Sequence, residues 1–312
     1  MNRIRVGVVG VGHIGRNHAR IYGELAQADF VAVLDNDPRA AEEAARKYRV
    51  HACATLEEFA ECTDAASVAT PTLSHFPIAA ELLARGKHLL VEKPIAETTD
   101  EARRLIELAA EHRCVLQVGH VERFNPVLEA LEQRLTRPQF IEAHRLSPYP
   151  GRSTDIGVVL DLMIHDIEVI LHLVRSPVAH IDAVGIPVLS KGEDIANARI
   201  RFVDGCVANI TVSRISPERM RKIRVFQGDA YLSLDYGDQS GEIYRKGPQG
   251  IVREKVPIEK GEPLKRELQS FVECAALGRK PAVSGQEAAD ALDLALRITA
   301  LIEAGGGAQA AG

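Results

Sequence analysis

The chain has 312 residues, 46% of them hydrophobic and 4% aromatic with no Trp, and its formal net charge at pH 7 is -5. That length is too great for one typical core and suits two domains. The acidic balance and the scarcity of aromatic rings argue against a nucleic-acid binder, which needs a basic face and stacking platforms.

Along the first third, short apolar runs alternate with helical patterns. IRVGVVG (4–10) reads as a buried strand, 14–25 as a helix and FVAVLD (30–35) as a second strand. Asp37-Pro38 then opens a helix, with Asp at the cap and Pro in the first turn. ASVAT (66–70) is a strand, and 74–85 is a helix that stops at Gly86. KHLLVEK (87–93) is a strand, 99–112 a helix and VLQVG (115–119) a strand. Strands alternating with helices imply right-handed crossovers and a parallel sheet, so residues 1–120 are expected to form a doubly wound α/β domain.

The pattern changes near Gly119-His120. A helix is expected over 124–135 and a strongly apolar one over 157–174. From 178 to 257 come strand-like segments, from HIDAVGIPVL to GIVREKVPI, separated by turns such as Asp204-Gly205 and Gly228-Asp229. They read as an antiparallel meander. Helices over 263–278 and 285–304 complete a second domain, 121–304, and the tail GGGAQAAG (305–312) is expected to be disordered. One face of an open sheet must be covered, so a homodimer or homotetramer is expected.

Gly10-Val11-Gly12-His13-Ile14-Gly15 fits G-x-G-x-x-G between a strand and a helix. The first glycine permits a tight turn, the second lets backbone approach a pyrophosphate, and the third lets helix and strand pack closely. Free N–H groups at the helix start, around His13 and Ile14, suit an anion. Asp35 ends the second strand, where a carboxylate holds adenosine ribose hydroxyls. These features point to a Rossmann domain. Asp35 favours NAD over NADP, while nearby Arg39 keeps NADP open.

VEKPIA (91–96) ends a parallel strand at the edge where open α/β sheets bind ligands, so Lys93 is expected to point into the cofactor crevice. Asp161 and His165 lie four apart in the apolar helix, where ionisable groups need partners or a function. The eleven histidines show neither H-E-x-x-H nor paired Cys/His spacing, so no metal site is expected. Five cysteines without a C-x-x-C pair, no signal-peptide pattern and no apolar run long enough for a bilayer suit a soluble cytoplasmic protein.

GVVGVGHIG, VATPTLSH, VEKPIA, GHVERFNP and DLMIHD follow one another along nearly the whole chain, to about residue 303. On these segments the chain resembles the glucose–fructose oxidoreductase / inositol dehydrogenase (Gfo/Idh/MocA) family. VEKP together with D-x-x-x-H carries most of that specificity. The resemblance implies an N-terminal Rossmann domain, a C-terminal α/β domain with an open, mainly antiparallel sheet, and oxidation or reduction of sugar or cyclitol carbons with NAD(P). It implies a cis Lys93-Pro94 peptide, with Lys93 near nicotinamide and the substrate hydroxyl. Asp161 matches a substrate-orienting carboxylate and His165 an acid/base histidine. Thr70, Pro71 and His75 match the segment flanking the nicotinamide ribose, with Glu92 also on the cofactor side. Which of His165 and Lys93 takes the proton stays open.

GHVERFNP followed by RLSPYPGRSTDIGVVLDLMIHDIEV resembles the branch that oxidises UDP-N-acetylglucosamine at C3 to the 3-keto sugar. Arg123, Arg145 and Arg152 are then candidate anchors for the diphosphate, since guanidinium suits phosphate oxygens, and Asn125 is grouped with them as substrate-binding. The alternatives are an inositol or free-sugar dehydrogenase of the same family and a non-catalytic NAD-binding regulator. A regulator of that kind typically lacks the lysine or the histidine, and both are present.

Overall fold

The computed structural model describes residues 3–149 and 156–309, the last four of these as backbone only. The chain divides into two compact units, residues 1–121 with 262–290, and residues 122–261 with 291–312.

In the first unit, β1 (Ile4–Val9), α1 (His13–Glu24), β2 (Ala28–Leu34), α2 (Pro38–Tyr48), β3 (His51–Ala52) and α3 (Leu56–Cys62) come first. Then follow β4 (Ala65–Val68), α4 (His75–Ala84), β5 (His88–Glu92), α5 (Thr99–Glu111) and β6 (Leu116–Gly119). The strands form a parallel sheet in the order β3-β2-β1-β4-β5-β6, the arrangement of a doubly wound dinucleotide fold. Val6, Val8 and Leu90 of the sheet pack with Ala19, Ile21 and Tyr22 of α1 in one core. Two elements were not expected. β3 is two residues long, too short to leave a period in the sequence. α3 is a single short helix whose N-cap, Thr55, accepts a hydrogen bond from the Glu58 N–H.

The second unit contains α6 (Pro126–Glu132), β7 (Pro138–Leu146), a π-helical turn (Val159–Met163) and α7 (Ile164–Val174). Its later strands are β8 (Val178–Ile186), β9 (Ile195–Phe202), β10 (Val207–Ser213), β11 (Met220–Gln227), β12 (Tyr231–Asp235), β13 (Ser240–Gly247) and β14 (Gly250–Lys255). The sheet order is β14-β13-β12-β11-β7-β10-β9-β8. The expected meander is thus split by β7, which lies in the middle, parallel to β10 and antiparallel to β11. Apolar side chains of α6, α7 and one sheet face share a core.

Two helices close the chain, α8 (Pro263–Leu277) and α9 (Gly285–Gln309). Residues 262–290 cluster with the first unit, so the expected linear split at 120 gives way to an interleaved one. The helix α9 also runs on through Gly305, Gly306 and Gly307, where the lack of side chains to bury suggested a disordered tail; 310–312 lie outside the described residues. No helix of the described residues is long and apolar enough to cross a membrane.

Candidate active site

The chain leaves β1 through Gly10, whose φ is 86°. A Cβ on Gly10 would lie 2.7 Å from the Ala69 carbonyl oxygen, and one on Gly15 only 1.7 Å from the Gly10 carbonyl oxygen. A Cβ on Gly12 would meet nothing within 4 Å. The first and third glycines are therefore demanded by the turn itself, and the second faces open space. Asp35 braces the loop: Oδ2 accepts the Val11 N–H at 2.7 Å and Oδ1 the Asp37 N–H at 2.9 Å. Each oxygen keeps a second lone pair for a hydroxyl donor.

No side chain caps the start of α1, where His13 and Ile14 are exposed, so its first N–H groups are available to an anion. Gly10, Gly12, Asp35, Asn36, Thr70 and Pro71 line a cavity of about 510 Å³ beside it. Thr70 Oγ1 is buried and makes no hydrogen bond among the described residues. An uncapped helix start, an open glycine, a braced carboxylate and a waiting hydroxyl fit a dinucleotide. Arg39 does not line the cavity, which leaves a 2′-phosphate without that cation.

β5 delivers Lys93 to the C-terminal edge of the parallel sheet, and Lys93-Pro94 is cis. Two buried histidines hold this turn. His18 of α1, 0% exposed, places Nε2 3.1 Å from Glu92 Oε1, and Glu92 Oε2 accepts the Lys93 N–H at 3.2 Å. Burial would raise the pKa of Glu92, but the hydrogen bond and charge of His18, with the charge of Lys93, outweigh it and hold the carboxyl below its ordinary range. Gly119 of β6 makes room for this group, since a Cβ there would sit 2.9 Å from the Glu92 carboxylate. His75 places Nδ1 2.8 Å from the Pro94 carbonyl oxygen and Nε2 2.8 Å from that of Thr70. Its ring is buried between two backbone segments, and it ties the lysine turn to the cavity wall.

Sequence reasoning passed over His18. A signal existed: with Gly15, Ala19 and Tyr22 it lies on the buried face of α1, and an ionisable side chain on such a face needs a partner.

In the second unit Asp161 lies within the π-helical turn and His165 in the first turn of α7, both half-buried. The sequence suggested a regular helix here. Single π-turns inside helices recur at functional sites. Two of the three arginines expected to meet a diphosphate, Arg145 and Arg123, are engaged by carboxylates of the second unit. Arg145, 5% exposed, donates from Nε and Nη2 to Asp166 at 2.9 and 3.1 Å, and from Nη1 to Glu122 at 2.9 Å. Burial works against its charge, but Asp166 and Glu122 prevail and raise its pKa further. Arg123 donates to Glu168 at 2.5 Å. Asn125 caps α6 through the Val127 N–H and donates to Glu122 at 3.1 Å. Arg123 and Arg145 are thus held in buried ion pairs of the second unit, and Asn125 is a neutral hydrogen-bond partner of Glu122. Arg152 lies outside the described residues.

Among the described residues, donor atoms of His51, Cys53 and Glu58 lie within 4.8 Å of one another. The carboxylate is already engaged there, by His51 at 2.6 Å and by the Ala54 N–H at 2.7 Å.

The doubly wound sheet, the glycine turn and its cavity define an α/β oxidoreductase with an NAD-binding Rossmann domain followed by a second, mainly antiparallel domain. Residues 4–120 match the oxidoreductase family with NAD-binding Rossmann fold, and residues 131–232 match the GFO/IDH/MocA C-terminal domain. The chain belongs to the Gfo/Idh/MocA family of oxidoreductases. It is 35% identical over 311 residues to UDP-N-acetylglucosamine 3-dehydrogenase of Acidithiobacillus ferrooxidans, covering 97% of this chain and 99% of the relative. A solved structure of that enzyme superposes with a TM-score of 0.93 over the same shares of the two chains. The scyllo-inositol 2-dehydrogenase (NAD(+)) of Bacillus subtilis is 23% identical, over 96% of this chain and 94% of its own. Levoglucosan dehydrogenase in complex with NADH shares the fold, with a TM-score of 0.87 at 17% identity over 97% of each chain.

Proposed function

We propose that the protein is an NAD-dependent dehydrogenase of a UDP-N-acetylhexosamine that oxidises C3 of UDP-N-acetylglucosamine to the 3-keto sugar. The observation that carries the substrate is the 35% identity to an enzyme of that activity along 97% of this chain. Inositol dehydrogenases also match, at lower identity over comparable lengths.

When bound, NAD supplies the carbon that takes up the hydride. The chain binds it through the Gly10–Gly15 turn and the start of α1, with Asp35 toward the ribose and Thr70 and Pro71 along the wall. The remaining work is to hold the sugar hydroxyl and remove its proton. In this reading Lys93 donates a hydrogen bond to that hydroxyl and stabilises the alkoxide as it develops. His165 receives the proton at an imidazole nitrogen, acting as the general base. Asp161 orients the sugar. Arg123 and Arg145 serve the architecture of the second unit, which leaves Arg152 as the candidate for the diphosphate.

The test is a panel of UDP-N-acetylglucosamine, UDP-glucose, myo-inositol and scyllo-inositol with NAD, followed by NADH absorbance and by mass spectrometry of the sugar after trapping with borodeuteride. Turnover confined to the N-acetylated sugar nucleotide, with deuterium at C3, is expected. In the same assay Lys93→Met loses about 10²–10⁴-fold in turnover while binding NAD like the parent. Preferential oxidation of an inositol would overturn the substrate, and loss of NAD binding in step with activity would overturn the role of Lys93.

A further inference from the structure

We propose that His18 is a positioning residue for Lys93, acting through Glu92 on the backbone from which the lysine projects. The inference rests on the reading of Lys93 given above. His18 makes its hydrogen bond to Glu92 Oε1, and the other oxygen of the same carboxylate accepts the Lys93 N–H. The carboxylate is thus a bridge between a helix and the residue that faces the substrate.

The surroundings leave the imidazole little freedom. Its ring is fully buried and meets Tyr22 edge to face, with centroids 6.5 Å apart. Tyr22 is anchored in turn by a 2.6 Å hydrogen bond to Ser67 of β4. The Nδ1 of His18 is buried without a hydrogen bond among the described residues. A side chain kept only to fill space would be apolar, because a buried ring nitrogen without a partner is unfavourable. Histidine at this site is explained by what Nε2 does for Glu92.

The placement also joins two parts of the site. The helix whose first N–H groups border the dinucleotide cavity carries His18 six residues after Gly12, about 9 Å along its axis. One rigid element therefore sets both the cofactor seat and the lysine turn. Glu92 has room for this bridge because β6 offers Gly119 opposite it.

The test uses the full-length parent, His18→Leu and His18→Gln. Leucine fills the volume without a donor, whereas the glutamine amide reaches the place of Nε2 and donates to Glu92. The first measurement needs no sugar. Competitive acetylation of Lys93 is read by mass spectrometry against the exposed Lys280, beside NADH binding by fluorescence. His18→Leu is expected to change the relative reactivity of Lys93 severalfold, His18→Gln to stay near the parent, and both to bind NADH like the parent. The second measurement is turnover with the sugar nucleotide. A fall in kcat of about 10–100-fold is expected in His18→Leu, with little change in the KM for NAD, and recovery of most of it in His18→Gln. Should His18→Leu fail to fold, His18→Asn replaces it, its amide being too short to reach Glu92.

Parent-like Lys93 reactivity and kcat in His18→Leu would overturn the proposal. So would His18→Gln falling together with His18→Leu in kcat, NADH affinity and melting temperature, which marks a purely structural role. If the parent turns over none of the sugar nucleotides, the substrate reading fails, while acetylation and NADH binding still decide the role of His18.

Discussion

One methyl group distinguishes the three glycines of the first loop. At Gly12 it enters open space, so Gly12→Ala should melt within about a degree or two of the parent, as surface substitutions do. In the proposed NAD site the same methyl would occupy the approach to the pyrophosphate, and NAD affinity should fall about tenfold or more, roughly 1.4 kcal/mol. At Gly15 a methyl lands 1.7 Å from the Gly10 carbonyl oxygen, so the turn must move. Gly15→Ala should lose about 1–3 kcal/mol of stability together with NAD binding. Thermal melts beside calorimetric NAD titrations separate the two variants, and equal melting temperatures would contradict the assignment. These roles were legible in the sequence because spacing along one turn is local geometry. The role of Arg145 was not, because its partners lie 21 and 23 positions away and only the fold brings them together. The contacts of His75 with the Thr70 and Pro94 carbonyl groups were not legible either, since only the fold brings position 94 beside position 75.

Among the elements, β7 shows how a charge can hide a strand. Its inward row is Ile141, Ala143 and Arg145, and the arginine breaks the alternation that marks a half-buried strand. The same arginine fastens the strand to its surroundings, through Asp166 of α7 and Glu122 ahead of α6. Removing one partner from a buried cluster leaves charge without compensation, which outweighs any gain from a lighter desolvation load. Arg145→Met should therefore lose about 3–5 kcal/mol in urea unfolding. Adding Glu122→Gln and Asp166→Asn should restore much of it, since the stranded carboxylates are then gone. A single variant as stable as the parent would mean that packing, not pairing, holds β7. The π-turn before α7 was hidden for a related reason. An apolar run through Val158 and Ile164 has helical character in either winding, and the choice between them depends on what the turn packs against.

At the scale of the molecule, the first unit is completed by chain that returns from the far end of the sequence. Leu268, Phe271 and Val272 of α8 are buried in the core formed by β1 and α1. Gln117 donates from its side chain to the Glu267 carbonyl oxygen at 3.2 Å, and the Val118 N–H donates to that of Val283 at 3.2 Å. The helix α8 was legible as a helix, but nothing in its amphipathic pattern says which of two sheets it covers. Burying three large apolar side chains contributes roughly 5–9 kcal/mol. That is comparable to the whole stability of a typical domain, about 5–15 kcal/mol. A fragment of residues 1–121, although it contains the entire parallel sheet, should therefore lack a cooperative urea transition and bind NAD poorly. Joining residues 262–290 to it through a flexible Gly/Ser linker should restore both the transition and NAD binding. Near-UV circular dichroism through the urea titration reads the first property and calorimetry the second. Cooperative unfolding of the short fragment with parent-like NAD affinity would show that the Rossmann sheet stands without α8, and that the late return of the chain serves the second unit instead.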